Sequence, residues 1–348
     1  MLRSPLASSI VVLGMIGCAA ANEGAMSRAE RAVRTSSAPS RPPAKSRHFE
    51  LHYEATVTSA PAGSTEVDLW LPVAHDTDFQ RVTLTAATAP QGHEVNVEPM
   101  LGNKIFHVRV PASSLPLTVR LDYDVVRDER KTDLSAARNR TILMPSDRDR
   151  YLTGTTLVPV GDSVATMSGF HANGADSVAV ARQAYDHVLG KMRYDKPANS
   201  GWGRGSTEWA CKEGFGNCTD FHAYFMSLTR TNGVPSRFLM GMPLPSDKTE
   251  GEIGGYHCWA EFFVDGRGWI PVDISEADKV ADQQPDMVEF YFGGLTVDRV
   301  EFTAGRDVKL VPAQKGAALN FFIYPYCEID GVEAPKGAIA RKFTFKNL

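Results

Sequence analysis

Three side chains in this sequence have the types and order needed for nucleophilic acyl chemistry: Cys218, His257 and Asp273. Cys218 lies in Gly214-Phe215-Gly216-Asn217-Cys218-Thr219-Asp220-Phe221, a glycine-bearing loop running into helical spacing. A thiol at a helix N-terminus meets unpaired N–H groups and the positive end of the macrodipole, and both favour the reactive thiolate. Small residues ahead of it leave room for a substrate backbone. The competing fate, a buried structural cysteine, is the commoner one. His257 lies in Gly254-Gly255-Tyr256-His257-Cys258-Trp259-Ala260-Glu261-Phe262-Phe263. Strand alternation puts His257, Trp259 and Glu261 on one face and turns Cys258 away from them. A base must reach the thiol and be oriented by a third group. Asp273, in Trp269-Ile270-Pro271-Val272-Asp273-Ile274, is the candidate orienter. With Gly266-Arg267-Gly268 as a three-residue loop, His257 and Asp273 share a face but stand four residues apart along the ladder, roughly 13 Å. Twist, a bulge or a longer loop must close that gap.

Other pairings compete. His222 falls four residues after Cys218 on the same helix face, so it is a rival base, although packing is its more ordinary role. Cys211, Cys218, His222, His257 and Cys258 lack the paired C-x-x-C units of a structural zinc site, and no metal or other cofactor is expected. One disulfide, Cys211–Cys258, is open to an exported chain.

The elements that must hold these residues read as α+β. Phe49, Leu51, Tyr53, Ala55 and Val57 alternate with mostly polar neighbours, and similar runs follow at 67–71, 105–110 and 119–125. This predicts an antiparallel β-sandwich over 47–130. Residues 131–174 read as a loop-rich connector. From Ser177, the stripe Val178, Ala181, Ala184/Tyr185, Val188/Leu189 and Met192 predicts a helix. A second helix starts at Cys218 and stops at Gly233-Val234-Pro235, after which strands return at 256–264 and 269–274. The catalytic unit is placed at 175–285, with 286–348 as a β-rich extension of it.

The run from Gly216-Asn217-Cys218 through Leu228, Arg230, Gly233-Val234-Pro235-Ser236-Arg237 and Gly241 resembles the cysteine motif of the transglutaminase-like superfamily. Tyr256-His257-Cys258-Trp259-Ala260-Glu261 resembles its histidine motif, and Gly268-Trp269-Ile270-Pro271-Val272-Asp273 its aspartate motif. The order matches, with 39 residues from Cys218 to His257 and 16 from His257 to Asp273. The resemblance implies a papain-like core, with helices packed on an antiparallel sheet, and a Cys218–His257–Asp273 triad. The thiolate would attack an amide or peptide carbonyl and leave an acyl-thioester for water or an amine to resolve. It also implies an oxyanion hole of the Cys218 N–H and an indole, for which Trp202 and Trp209 are the candidates.

The bulk composition limits the alternatives. A net charge of −4 over 348 residues offers no basic footprint for nucleic acid. Arg3 followed by the short apolar run Leu6–Gly17 reads as a targeting segment, residues 1–18, too short to span a bilayer. Two exits are open: cleavage at Ala19-Ala20-Ala21, or a lipobox at Met15-Ile16-Gly17-Cys18 with Cys18 lipidated. Residues 19–46, rich in Ala, Ser, Pro and Arg, read as a disordered tether, which suits the lipidated form. The expectation is an exported, lipid-anchored cysteine hydrolase or acyltransferase of the bacterial envelope acting on a peptide or protein. The alternative is an envelope binding protein on a non-catalytic papain-like scaffold.

Overall fold

The computed structural model describes residues 45–136, 138–174 and 176–348. The targeting segment with Cys18, and the tether except for its last two residues, lie outside the described residues. Ser46 already belongs to the first strand.

Six strands come first: β1 Ser46–Val57, β2 Glu66–Val73, β3 Gln80–Thr88, β4 Glu94–Val97, β5 Lys104–Pro111 and β6 Leu117–Asp128. In β1, burial alternates strictly: Phe49, Leu51, Tyr53, Ala55 and Val57 are each fully buried. Val119, Leu121, Tyr123 and Val125 of β6 answer them across an unbroken antiparallel ladder. Each large apolar side chain so buried contributes roughly 1.5–3 kcal/mol, and a one-residue slip would turn the whole set to solvent.

Seven helices are described: α1 Pro145–Leu152, α2 Asp162–Ser168, α3 Ser177–Lys191, α4 Thr207–Glu213, α5 Cys218–Thr231, α6 Ile274–Val280 and α7 Pro285–Phe290. The strands that complete the four- and five-stranded sheets are β7 Ser236–Pro243, β8 Glu250–Glu252, β9 His257–Val264, β10 Gly268–Val272, β11 Arg299–Ala304, β12 Tyr326–Ile329, β13 Val332–Glu333 and β14 Ile339–Asn347. The stretch read as a connector carries α1 and α2. Helix α1 buries no residue, so it has no apolar stripe by which to read it.

Strands β10-β9-β7-β11 form one antiparallel sheet in that order, against which α5 packs. Two five-stranded sheets, β8-β14-β1-β6-β3 and β13-β12-β2-β5-β4, make the sandwich. The fold is thus α+β with many antiparallel ladders. The expectation for 286–348 is corrected by these ladders. Only β11 extends the catalytic sheet, whereas β12 pairs with β2 and β14 with β1. The sandwich therefore reaches beyond 47–130, because its outer partners are far away in sequence. Among the described residues, no helix is long and apolar enough to cross a membrane.

The sandwich and the catalytic sheet share one apolar core. Phe302 of β11 packs against Tyr53 and Tyr123, at 5.9 and 6.0 Å between ring centroids. The Gln80 side chain is fully buried and pairs with the backbone of Glu301, donating to its carbonyl at 2.8 Å and accepting from its N–H at 2.9 Å. An amide side chain thus takes the place of a strand at that edge of the sheet.

Candidate active site

Cys218 is the first residue of α5, and its N–H has no acceptor within the helix. The start is fixed by reciprocal capping. The Asn217 side chain accepts from the Thr219 N–H at 3.0 Å, and the Asp220 carboxylate accepts from the Asn217 N–H at 3.1 Å. Asp220 also accepts from Gly203 and Gly205 N–H at 2.6 and 2.9 Å, tying the preceding loop to the helix. A Cβ on Gly216 would lie 2.5 Å from the Asp220 carboxylate. That glycine makes room for the cap, in addition to any room it leaves for substrate. Residues Cys218 to Arg230 are buried without interruption. Polar members of this run find partners inside, as Ser227 does with Thr207 at 2.7 Å.

His257 opens β9 and Asp273 caps α6, accepting from the Glu276 N–H at 3.2 Å. The ladder pairs Val264 with Gly268 and Ala260 with Val272. The hairpin loop is therefore 265–267, one residue earlier than expected. This shift puts Asp273 across from Trp259 and reduces its stagger from His257 to two residues, a diagonal that side chains span. The imidazole Nε2 lies 2.7 Å from Asp273 Oδ2. Since a carboxylate only accepts, Nε2 carries a proton and Nδ1 is left for the thiol, with which His257 is hydrogen-bonded.

Burial alone would raise the Cys218 thiol. Hydrogen bonds from Cys258 and His257, and the imidazole's charge, outweigh it and bring the thiol down to about 5. Burial likewise opposes charge on His257, but Asp273 and Cys218 lift it to about 10. Asp273 stays well below the usual carboxylate range against its own burial, through His257 and Arg299. Both directions favour charge separation, with the thiolate on Cys218 and the imidazolium on His257.

Sequence reasoning missed Arg299, whose Nη1 donates to the same Oδ2 at 2.8 Å from β11. It sits in no motif, and its role comes from a strand that joins the sheet out of sequence order. Trp202 donates its indole N–H to the Pro197 carbonyl at 2.9 Å, and the Trp209 ring packs on Phe215 and over Gly201. The Trp202 N–H is thus taken by a carbonyl, whereas the Cys218 N–H at the start of α5 has no acceptor within the helix. His222 is fully buried and accepts from the Ile274 N–H through Nε2 at 3.1 Å. Burial first, and then the charge of His257, push it down to about 4 despite Asp273, so it is no rival base.

One further expectation is corrected. Cys211 and Cys258 are both free thiols, so that disulfide is absent. Cys258 does alternate with His257, but the face it takes is the one covered by α5, which brings it to His222 and Cys218. Glu261, two turns of the pleat beyond His257, is buried between Arg130 and Arg237, the latter at 2.6 Å.

Beside His257 opens a cleft of about 310 Å³. Leu244, Val280 and Met287 give it apolar lining, and Glu276, Asp298 and Arg299 give it charge. Its lining includes the His257 ring but neither Cys218 nor any other residue of α5, so it opens on the imidazole rather than over the sulfur.

Residues 165–274 match the family profile of the transglutaminase-like superfamily. An uncharacterized protein of Haemophilus influenzae is 33% identical in a 142-residue alignment, with coverage of 33% of this chain and 38% of that protein. The match thus spans well under half of the relative's length. A crystal structure of a candidate cysteine protease from Cytophaga hutchinsonii shares the fold. Its TM-score is 0.52 at 14% identity, over 87% of this chain and 98% of that one. The periplasmic domain of TgpA from Pseudomonas aeruginosa aligns over 69% of this chain and 92% of its own, at 15% identity. Its TM-score of 0.35 is too low to bear on fold or function.

Proposed function

Because residues 165–274 form a transglutaminase-like domain, we propose that the protein is a cysteine hydrolase or acyltransferase acting on peptide or glutamine-type amides. The observation that carries this reading is the buried chain Asp273–His257–Cys218 at the N-terminus of α5. The thiolate attacks the carbonyl, and the Cys218 N–H receives the developing oxyanion. The His257 imidazolium gives its proton to the leaving amine, and an acyl-thioester remains. Water or an amine, deprotonated by the now neutral imidazole, then releases the acyl group. Hydrolysis is favoured over calcium-controlled crosslinking, since the sequence has no D-x-D-x-D-G loop.

Site-resolved iodoacetamide labelling between pH 5 and 8, on the wild type and on His257→Ala, tests the site. Selective labelling of Cys218 at pH 6, slowed about 100-fold or more in the variant, is the expected result. Labelling that starts only above pH 8, or that ignores His257, sinks the enzyme reading and favours a binding role for the scaffold. Glutamine-containing peptides with and without an added amine then separate hydrolysis from transfer. Export with a lipid anchor at Cys18 is part of the same proposal. Palmitate labelling that survives Cys18→Ser would refute it.

A further inference from the structure

Cys218 and His257 both stand at the ends of their elements, where a chain frays most readily. Cys218 is the first residue of α5. His257 opens β9 as the last rung of its ladder with β7, opposite Gly241, and pairing with β10 starts only at Ala260. The chain enters β9 through Gly254-Gly255, and a Cβ on Gly254 would meet nothing within 4 Å. Two glycines with so little around them do not fix the strand that follows.

A bond between the two ends does. Asn217, directly before Cys218, is buried, and its Oδ1 accepts from the Thr219 N–H at 3.0 Å. A backbone N–H can only donate, so the other arm of that amide is its NH₂ group. This arm donates to the phenol oxygen of Tyr256, directly before His257, at 2.9 Å. The direction of the bond thus follows from the helix cap. The neighbour of the nucleophile and the neighbour of the base are tied side chain to side chain.

The phenol ring is held in turn. Its centroid lies 5.5 Å from that of Phe321 and 5.6 Å from that of Tyr324. Tyr324 stacks on Phe343 of β14 at 6.1 Å, and the Arg341 guanidinium of the same strand stands 3.6 Å over its ring. The last strand of the sandwich therefore backs the ring whose oxygen meets Asn217.

We propose that Tyr256 is a positioning residue: its phenol oxygen, bound to the Asn217 amide, holds the start of β9 against the start of α5 and so fixes the separation of His257 from Cys218. This inference rests on the reading of Cys218 as a nucleophile served by His257. Asp273, 2.7 Å from Nε2, sets the tautomer of the imidazole, whereas the Tyr256–Asn217 bond sets the spacing of the two elements. Spacing matters because attraction between a thiolate and an imidazolium weakens as they part. A packing role alone would reside in the ring, which phenylalanine keeps.

The test is a double-mutant cycle read by iodoacetamide labelling of Cys218 between pH 5 and 9.5, with folding checked by circular dichroism. Tyr256→Phe removes the acceptor and retains the ring. Asn217→Ser removes the amide arm and retains a cap for α5; Asn217→Thr replaces it if the serine variant misfolds. One neutral hydrogen bond carries a factor of roughly 2–10 in the population of the arrangement it holds. Each single variant should label about 3–10-fold more slowly than the wild type at pH 6, with the midpoint raised by about 0.5–1 pH unit. At about pH 9.5, where an ordinary thiol ionises unaided, all should agree within about twofold. The double variant should be no slower than the slower single, because both changes break the same bond. Wild-type labelling of Tyr256→Phe at pH 6 overturns the inference. So do single effects that multiply in the double variant, or a loss as large at pH 9.5 as at pH 6. Failure of the nucleophile reading looks different: the wild type itself would label only above pH 8.

Discussion

Asp273→Asn isolates what the buried carboxylate does for the imidazole. The Asn carbonyl can still cap the Glu276 N–H and accept from Ser275, as Asp273 Oδ1 does. The amide NH₂ would replace Oδ2 and face two donors, His257 Nε2–H and Arg299 Nη1. At 2.7 Å and an effective dielectric near 20, the lost attraction on the imidazolium is about 6 kcal/mol. Returning His257 from about 10 to an ordinary histidine value near 6.5 corresponds to roughly 5 kcal/mol, the same order. Nuclear magnetic resonance of labelled histidine between pH 5 and 10.5 reads this directly. The wild-type ring should remain charged to about pH 9 or beyond, while the folded variant should titrate near or below about pH 7. A variant ring that stays charged past pH 9 would refute the assignment of Asp273 as its support. The variant also strands the Arg299 guanidinium, costing about 3–5 kcal/mol of stability. Because Asp273 is held below the usual range, its contribution is complete above the ordinary carboxylate value. It fades as pH falls through the folded-state value, so the wild-type advantage persists at neutral pH and disappears in strong acid.

Glu261→Ala leaves Arg130 and Arg237 without their shared carboxylate and should lower unfolding free energy by about 3–5 kcal/mol in a urea titration. A loss under about 1 kcal/mol would mean that the cluster is better solvated than its burial implies. Gly241→Ala would drive a Cβ to 1.9 Å from the Val300 carbonyl, at the irregular register between β7 and β11. Prising these strands apart should cost about 3 kcal/mol or more and carry Arg299 off Asp273; a variant with wild-type stability would contradict that packing.

Much of the site was legible because its parts are local. The glycine-bearing loop before Cys218 runs directly into helical spacing, and a three-residue hairpin loop keeps His257 and Asp273 on one face wherever it is centred. A loop misplaced by one residue preserved the face but doubled the stagger, because side chains repeat every two residues along a strand. The three motif stretches carry the family resemblance, and the domain match covers them. The unreadable parts are long-range. Arg299 reaches Asp273 from a strand inserted beside β7, and nothing in Asp298-Arg299-Val300 marks it. Alternation turned Cys258 away from His257 but could not say that α5 lies on that other face. Trp202 has the right residue type for an oxyanion donor, yet a carbonyl five residues back takes its N–H.

Strand β14 has a consequence for how the molecule comes into being. It pairs with β1 along Phe49–Val57, so the first strand of the domain waits for residues 339–347 before its sheet is whole. A chain made from its N-terminus meets its catalytic residues well before that closing partner. Contacts of such sequence separation are slow to form, and an unpaired edge invites foreign strands while it waits. The arrangement makes the sandwich a check on completeness. A chain cut short of its last strand still carries every triad residue, but its open sheet edge exposes it to aggregation and to proteolysis.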